Sequence, residues 1–161
     1  MQKVPAFLNI QLQEKYRRVL ATWEGTPYRY GVMVKGRGAD CATFLAGTYI
    51  DLGIVEKFPV PYTSKDWHIH GDNLFLERLK WFREKVHPPY KITAAPSQKT
   101  IVFGDWLAFR LCPKRYTNHS AIALGQDEII HCVEGRGVVV EPISKIRKNL
   151  GLVYRLYREK E

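Results

Sequence analysis

The 161-residue chain divides two kinds of hydrophobic pattern between its two halves, and this division constrains the fold more than any other feature. Helical spacing dominates up to residue 86. From residue 101 onward the pattern becomes short β-rich runs cut by glycines and polar turns. Helices followed by an antiparallel meander mean an α+β domain rather than a parallel doubly wound sheet. At 45% hydrophobic and 25% charged residues the composition is globular and excludes disorder, collagen and coiled coil. The length suits a single domain, 1–161.

Residues 10–24 carry Tyr16, Val19, Leu20 and Trp23 at helical spacing, and Gly25-Thr26-Pro27 ends that helix. Residues 28–40, with Gly31, Gly36 and Gly38, read as a loop. CATFLAGTYIDLG predicts a buried helix: Phe44, Leu45, Thr48 and Leu52 share a side, Asp40 stands at the N-cap and Gly53 terminates it. Residues 54–71 read as an ordered loop, and residues 72–86 as a helix capped by Asp72 and stopped before Pro88-Pro89. Residues 88–100 read as a further loop. Strands are predicted within 101–111, 119–125, 128–135, 137–142 and 152–157, with a short basic helix over 142–150.

Three cysteines, Cys41, Cys112 and Cys132, with no C-x-x-C pair, argue against a disulfide framework and against structural zinc. Cys41 has a distinctive context. It opens the buried helix, directly after a glycine-rich loop and an acidic cap. A helix N-terminus favours thiolate, and glycines let a substrate approach the backbone. A nucleophilic cysteine also needs a histidine base. The bland alternative is a core thiol on an apolar helix face.

His119 and His131 lie in successive strands, separated by the turn signal Gly125-Gln126-Asp127. With Gly125 as the loop centre, paired positions sum to 250, which sets His119 opposite His131 on one face. A two-residue loop would put them on opposite faces. A base oriented by a second polar group is the logic of cysteine hydrolases. The bland alternative is two half-buried strand histidines.

Other motifs carry less. His68 and His70 lack a clearly placed metal-binding partner, so neither metal nor cofactor is expected. His87 reads as part of a helix stop. Cys132 alternates with His131 and reads as core, Cys112 sits in a basic loop, and Glu134-Gly135-Arg136-Gly137 reads as a hairpin turn. The basic stretch around Lys145, Arg147 and Lys148 reads as a solvated face or a contact for an acidic polymer.

Taken in order, the blocks Gly25-Thr26-Pro27-Tyr28, Gly38-Ala39-Asp40-Cys41-Ala42-Thr43-Phe44, Gly104-Asp105-Trp106, Asn118-His119-Ser120 and Ile129-Ile130-His131 resemble the NlpC/p60 family of cell-wall cysteine peptidases. The resemblance implies a papain-like fold with the nucleophile helix packed on an antiparallel β-sheet. It implies Cys41 as nucleophile, His119 as base and His131 as the orienting residue. Tyr28 and Asp40 are then substrate-binding, Asp40 toward a free amino group. Ala42-Thr43 departs from the family's usual Ser-Gly, and 55–100 is insertion-like, a place for substrate selection. The implied substrate is the peptide stem of peptidoglycan, at a γ-D-glutamyl to diamino-acid bond. Val60-Pro61-Tyr62 and Asp66-Trp67 also resemble the phage-tail and gene-transfer-agent branch, which implies phage-tail proteins as partners.

The net charge of +9 favours polyanions such as nucleic acid, anionic membrane or an acidic wall polymer. With the resemblance, the expected partner is peptidoglycan, not nucleic acid. No apolar run is long enough for a membrane span. No signal peptide is visible at the start, so delivery in a phage-like particle or by a non-Sec route is expected. Two other functions fit the same residues: an amidase, acyltransferase or toxin using the same Cys-His machinery, and a non-catalytic basic tail or nucleic-acid-binding module.

Overall fold

In a computed structural model, residues 2–60, 74–111 and 117–160 are described. Strand β1 (Lys3–Pro5) leads into helix α1 (Ile10–Trp23), whose N-cap Asn9 accepts the Leu12 N–H. Tyr16, Leu20 and Trp23, at i, i+4 and i+7, form its buried stripe. A ribbon of β2 (Met33–Val34) and β3 (Gly38–Ala39) then feeds directly into α2 (Cys41–Leu52). The 28–40 stretch is therefore not all loop.

Helix α2 is the central element and is apolar nearly all round, burying every residue from Thr43 to Tyr49. Asp40 begins it with a reciprocal cap. Its Oδ1 accepts the Ala42 and Thr43 N–H groups at 3.0 and 2.9 Å, and Thr43 Oγ1 accepts the Asp40 N–H at 2.8 Å. Gly53, left-handed at φ 87°, ends it. At Gly47 a Cβ would lie 2.5 Å from the Trp23 ring, so only glycine permits this approach of α1 to α2. A ladder of rings crosses the core from Phe7 through Tyr16, Tyr49 and Phe82 to Trp106, with centroids 5.0–5.9 Å apart. Phe82 comes from α3 (Leu74–Arg83), whose Phe75 and Leu79 join the same core. The proposed cap Asp72 lies outside the described residues.

The sheet is antiparallel, with β5 (Trp106–Phe109), β6 (His119–Ala123), β7 (Glu128–Val133) and β8 (Gly137–Pro142) forming the expected meander. Strand β9 (Leu150–Glu159), expected as the last strand of that meander, instead returns to pair with β5, and β1 and β4 (Tyr90–Ala94) also pair with β9. Strand β4 corrects the reading of 88–100 as loop. Its five residues gain a ladder partner that no local pattern announces. The basic helix expected over 142–150 is instead two 3-10 turns, Ile143–Lys145 and Arg147–Asn149, bridging β8 to β9. The α+β architecture stands, with the N-terminal helices against an antiparallel sheet.

Buried Asp105 anchors the sheet. It accepts two bonds of 2.7 Å from Arg155 of β9 and one of 3.0 Å from the Val102 N–H.

Candidate active site

Cys41 is the first residue of α2 and is half-buried. Its carbonyl accepts the Ser120 hydroxyl at 2.7 Å, and its Sγ lies 3.9 Å from the Asn118 carbonyl oxygen. The thiol therefore sits against the start of β6, at the residues flanking His119. The Asp40 cap uses the Ala42 and Thr43 N–H groups and leaves the Cys41 N–H as a first-turn donor.

His119 and His131 are both buried and joined directly, Nε2 to Nδ1, at 2.8 Å. The predicted face is right and the predicted register is not. Ile122 pairs with Ile130 and Ala123 with Ile129, so paired positions sum to 252 and the loop centres on Gln126. The two histidines are diagonal neighbours rather than opposed. A shift of two positions preserves the face because side chains alternate with period two.

Beyond His131 lies a group that the sequence reading missed. His131 Nε2 is 2.6 Å from Glu141 Oε1 on β8. Glu141 also accepts two bonds of 3.0 Å from Arg136, in the β7–β8 turn, and one of 3.1 Å from Lys145. A usable signal was present. The turn Glu134–Gly137, centred on Gly135, gives the observed pairing of His131 with Val139. Glu141 is two residues further on the same face.

The electrostatics run against a preformed thiolate. Burial first, and the Asp40 carboxylate next, push the Cys41 thiol up to about 12, while the Ser120 amide and hydroxyl act in the opposite direction. Burial and the acidic cap thus oppose the thiolate-favouring effect of the helix terminus. Burial first, then His131, takes His119 down to about 3. Burial also lowers His131, opposed by Glu141. Arg136 foremost holds the Glu141 carboxyl well below its usual range. These directions favour a neutral thiol, neutral imidazoles and an ionised carboxylate.

Tyr28 is pinned beside this group by a bridge to Ala39, and its hydroxyl is raised by burial first and then by Cys41 and Asp40. The Tyr28 loop is held by Gly137. A Cβ there would lie 2.4 Å from the Thr26 carbonyl, and its φ is 75°. Asp40 Oδ2 accepts the Gly31 N–H at 2.8 Å, so both carboxylate oxygens hold backbone. Cys132 is buried, its Sγ 3.1 Å from the Ala39 carbonyl, in keeping with a core role. Cys112, His68 and His70 lie outside the described residues. Among the described residues no group of three or more His, Cys, Asp and Glu is placed to hold a metal ion, and no helix is long and apolar enough to cross a membrane.

A model of the NlpC/P60 family matches residues 25–150, a span that contains every element of this site. The chain belongs to the NlpC/P60 family. Members of this family are cysteine peptidases. Solved NlpC/P60 structures share the fold. A Staphylococcus aureus protein described as similar to lipoprotein, of the NLP/P60 family, superposes with a TM-score of 0.60 at 17% identity over 96% of this chain and 44% of its own. NlpC2 from Trichomonas vaginalis gives 0.61 at 15% identity, over 92% of this chain and 47% of its own. The NlpC/p60 domain of the peptidoglycan hydrolase SagA gives 0.50 at 19% identity, over 88% of this chain and 96% of its own. The chain thus spans less than half the length of the first two and nearly all of the SagA domain. No curated protein matches it in sequence.

Thr43 has a structural role of its own. Its hydroxyl closes the Asp40 cap and donates to the Val32 carbonyl at 2.6 Å, tying the β2 ribbon to α2. Beside the first turns of α2 an apolar hollow opens between Ala42, Ala46, Met33, Phe58, Leu79 and Trp81. Phe58, Leu79 and Trp81 belong to the insertion-like segment.

Proposed function

We propose that the chain is a cysteine hydrolase cleaving amide bonds in peptidoglycan stem peptides, with Cys41 as nucleophile, His119 as base and His131 as the orienting residue. The observation that carries this reading is the 2.8 Å His119–His131 bond at the strand start against which Cys41 is packed. With His119 Nε2 engaged by His131, Nδ1 is the ring nitrogen left for the thiol. The Sγ proton moves to Nδ1 as the sulfur pair attacks the amide carbonyl. The Cys41 N–H donates to the developing oxyanion. Imidazolium His119 then protonates the leaving amine, and water hydrolyses the thioester.

Family membership and the likeness to the SagA domain support peptidoglycan as the substrate class. We place the cleaved bond between γ-D-glutamyl and the diamino acid, with Tyr28 and Asp40 at the end that binds the substrate. The hollow beside Ala42 and Trp81 lies where the insertion-like segment would select among substrates. Delivery to the wall in a phage-like particle belongs to the same proposal and rests on the tail-branch likeness around Val60-Pro61-Tyr62.

Digestion of purified muropeptides, with products identified by mass spectrometry, tests the reading. A new amino terminus on the diamino acid is expected. Intact muropeptides alongside turnover of a simple acyl ester or amide would move the protein to the acyltransferase or amidase alternative.

A further inference from the structure

Glu141 lies outside the proposed reaction, yet it is buried and holds four polar contacts, to His131, Arg136 twice and Lys145. Two cations facing one carboxylate keep it ionised. Arg136 and Lys145 are themselves more than half exposed, so they reach in from the surface while Glu141 stays inside.

An ionised carboxylate can only accept hydrogen bonds. His131 must therefore carry its proton on Nε2, the nitrogen 2.6 Å from Glu141. A neutral imidazole has one N–H, so His131 Nδ1 is an acceptor. His119 must then donate from Nε2 across the 2.8 Å contact, which leaves the lone pair of His119 on Nδ1. We propose that Glu141 is a positioning residue that sets the tautomers of His131 and His119 in series, so that the lone pair of His119 lies on Nδ1, the ring nitrogen that His131 does not engage. This rests on the reading of Cys41 and His119 as nucleophile and base. The proton taken from Sγ stays on His119 Nδ1 until the leaving amine receives it. His131 stays neutral and Glu141 stays ionised throughout.

Replacing the carboxylate by an amide reverses this logic. In Glu141→Gln, Arg136 and Lys145 draw the amide oxygen, and the amide NH₂ is turned toward His131. His131 Nε2 becomes an acceptor, His131 donates from Nδ1, and His119 is left with its proton on Nδ1, where it cannot take another. A residue that only tied the β7–β8 turn to the following 3-10 turn would change stability and nothing else.

The test has two readouts. In wild-type protein, ¹⁵N NMR of the histidine side chains should show Nε2–H on both His119 and His131. In Glu141→Gln both should switch to Nδ1–H. On muropeptides the variant should lose on the order of 100-fold in kcat with KM within about twofold, a smaller loss than the roughly 10⁴-fold reached where such a carboxylate contacts the base itself. Nδ1–H on His131 in wild-type protein overturns the proposal even if the variant does not fold. Unchanged tautomers in a folded Glu141→Gln, or kcat within about twofold of wild type, also overturn it. If the tautomers switch while neither protein cleaves muropeptides, the positioning role stands and the substrate reading falls.

Discussion

His119 and His131 are bonded at 2.8 Å although they are diagonal, not opposed, in the β6–β7 ladder. Two imidazoles reach across a diagonal only when they lie on the same face and both rings are turned along the strands. Glu141 gives His131 a reason to turn, since its other nitrogen is 2.6 Å from that carboxylate. A base held this way needs its partner. His131→Ala should lower kcat by about 10²–10⁴-fold, and His131→Asn, which retains an acceptor, should recover part of the loss. Steady-state kinetics on muropeptides check both. A loss below about tenfold in His131→Ala would mean that His119 is oriented by something else.

Acid should destabilise the fold from near neutrality. Burial lowers His119 from 6.5 to about 3 and also lowers His131, so below pH 6.5 the unfolded chain binds protons that the folded chain refuses. Glu141, lowered chiefly by Arg136, adds to this below its ordinary value of 4.5, because folded Glu141 remains ionised while the unfolded residue protonates. Both effects have the same sign. Urea midpoints should fall steadily as pH is taken below 6.5, more steeply below 4.5. A midpoint independent of pH across that range would contradict the buried, neutral histidine pair.

Cys41 should alkylate slowly at neutral pH and faster as pH rises. Burial and Asp40 push its thiol up to about 12, and only the thiolate reacts. Asp40→Asn keeps a good helix cap while removing the negative charge, so its iodoacetamide rate at mildly alkaline pH should exceed that of wild type. Mass spectrometry of the Cys41 peptide reads the rate. Equal or slower labelling would remove Asp40 as a cause of the raised thiol.

Asp105→Ala should cost about 3–5 kcal/mol of stability, because it leaves the Arg155 guanidinium, bonded twice at 2.7 Å, without its buried partner. Equilibrium urea unfolding measures this. A cost under about 1 kcal/mol would show that Arg155 finds water instead.

How much of this could be read beforehand differs from residue to residue. Helix α2 was legible because its cap, its apolar faces and its terminal glycine all point the same way. The shared face of the two histidines was legible once the loop was given a single central residue, because strand alternation then sets parity. The register was not, because parity is unchanged by a shift of two and the loop centre fell on Gln126 rather than Gly125. Strand β4 was hidden because Tyr90–Ala94 is short and becomes a strand through pairing with β9, far along the chain. Glu141 carries no signal of its own within the strand-like run 137–142. Its importance lies in its three partners, His131, Arg136 and Lys145, of which only the turn geometry around Gly135 gave any hint. The 3-10 turns over 143–149 look helical in composition, but each is limited to three residues.

Everything proposed for this site depends on Cys41 carrying the chemistry. Turnover of purified muropeptides by wild-type protein and by Cys41→Ala, with folding of both checked by circular dichroism, tests it most directly. Wild type should cleave, and the folded Cys41→Ala should give nothing above background. Cleavage at the wild-type rate by Cys41→Ala would contradict it.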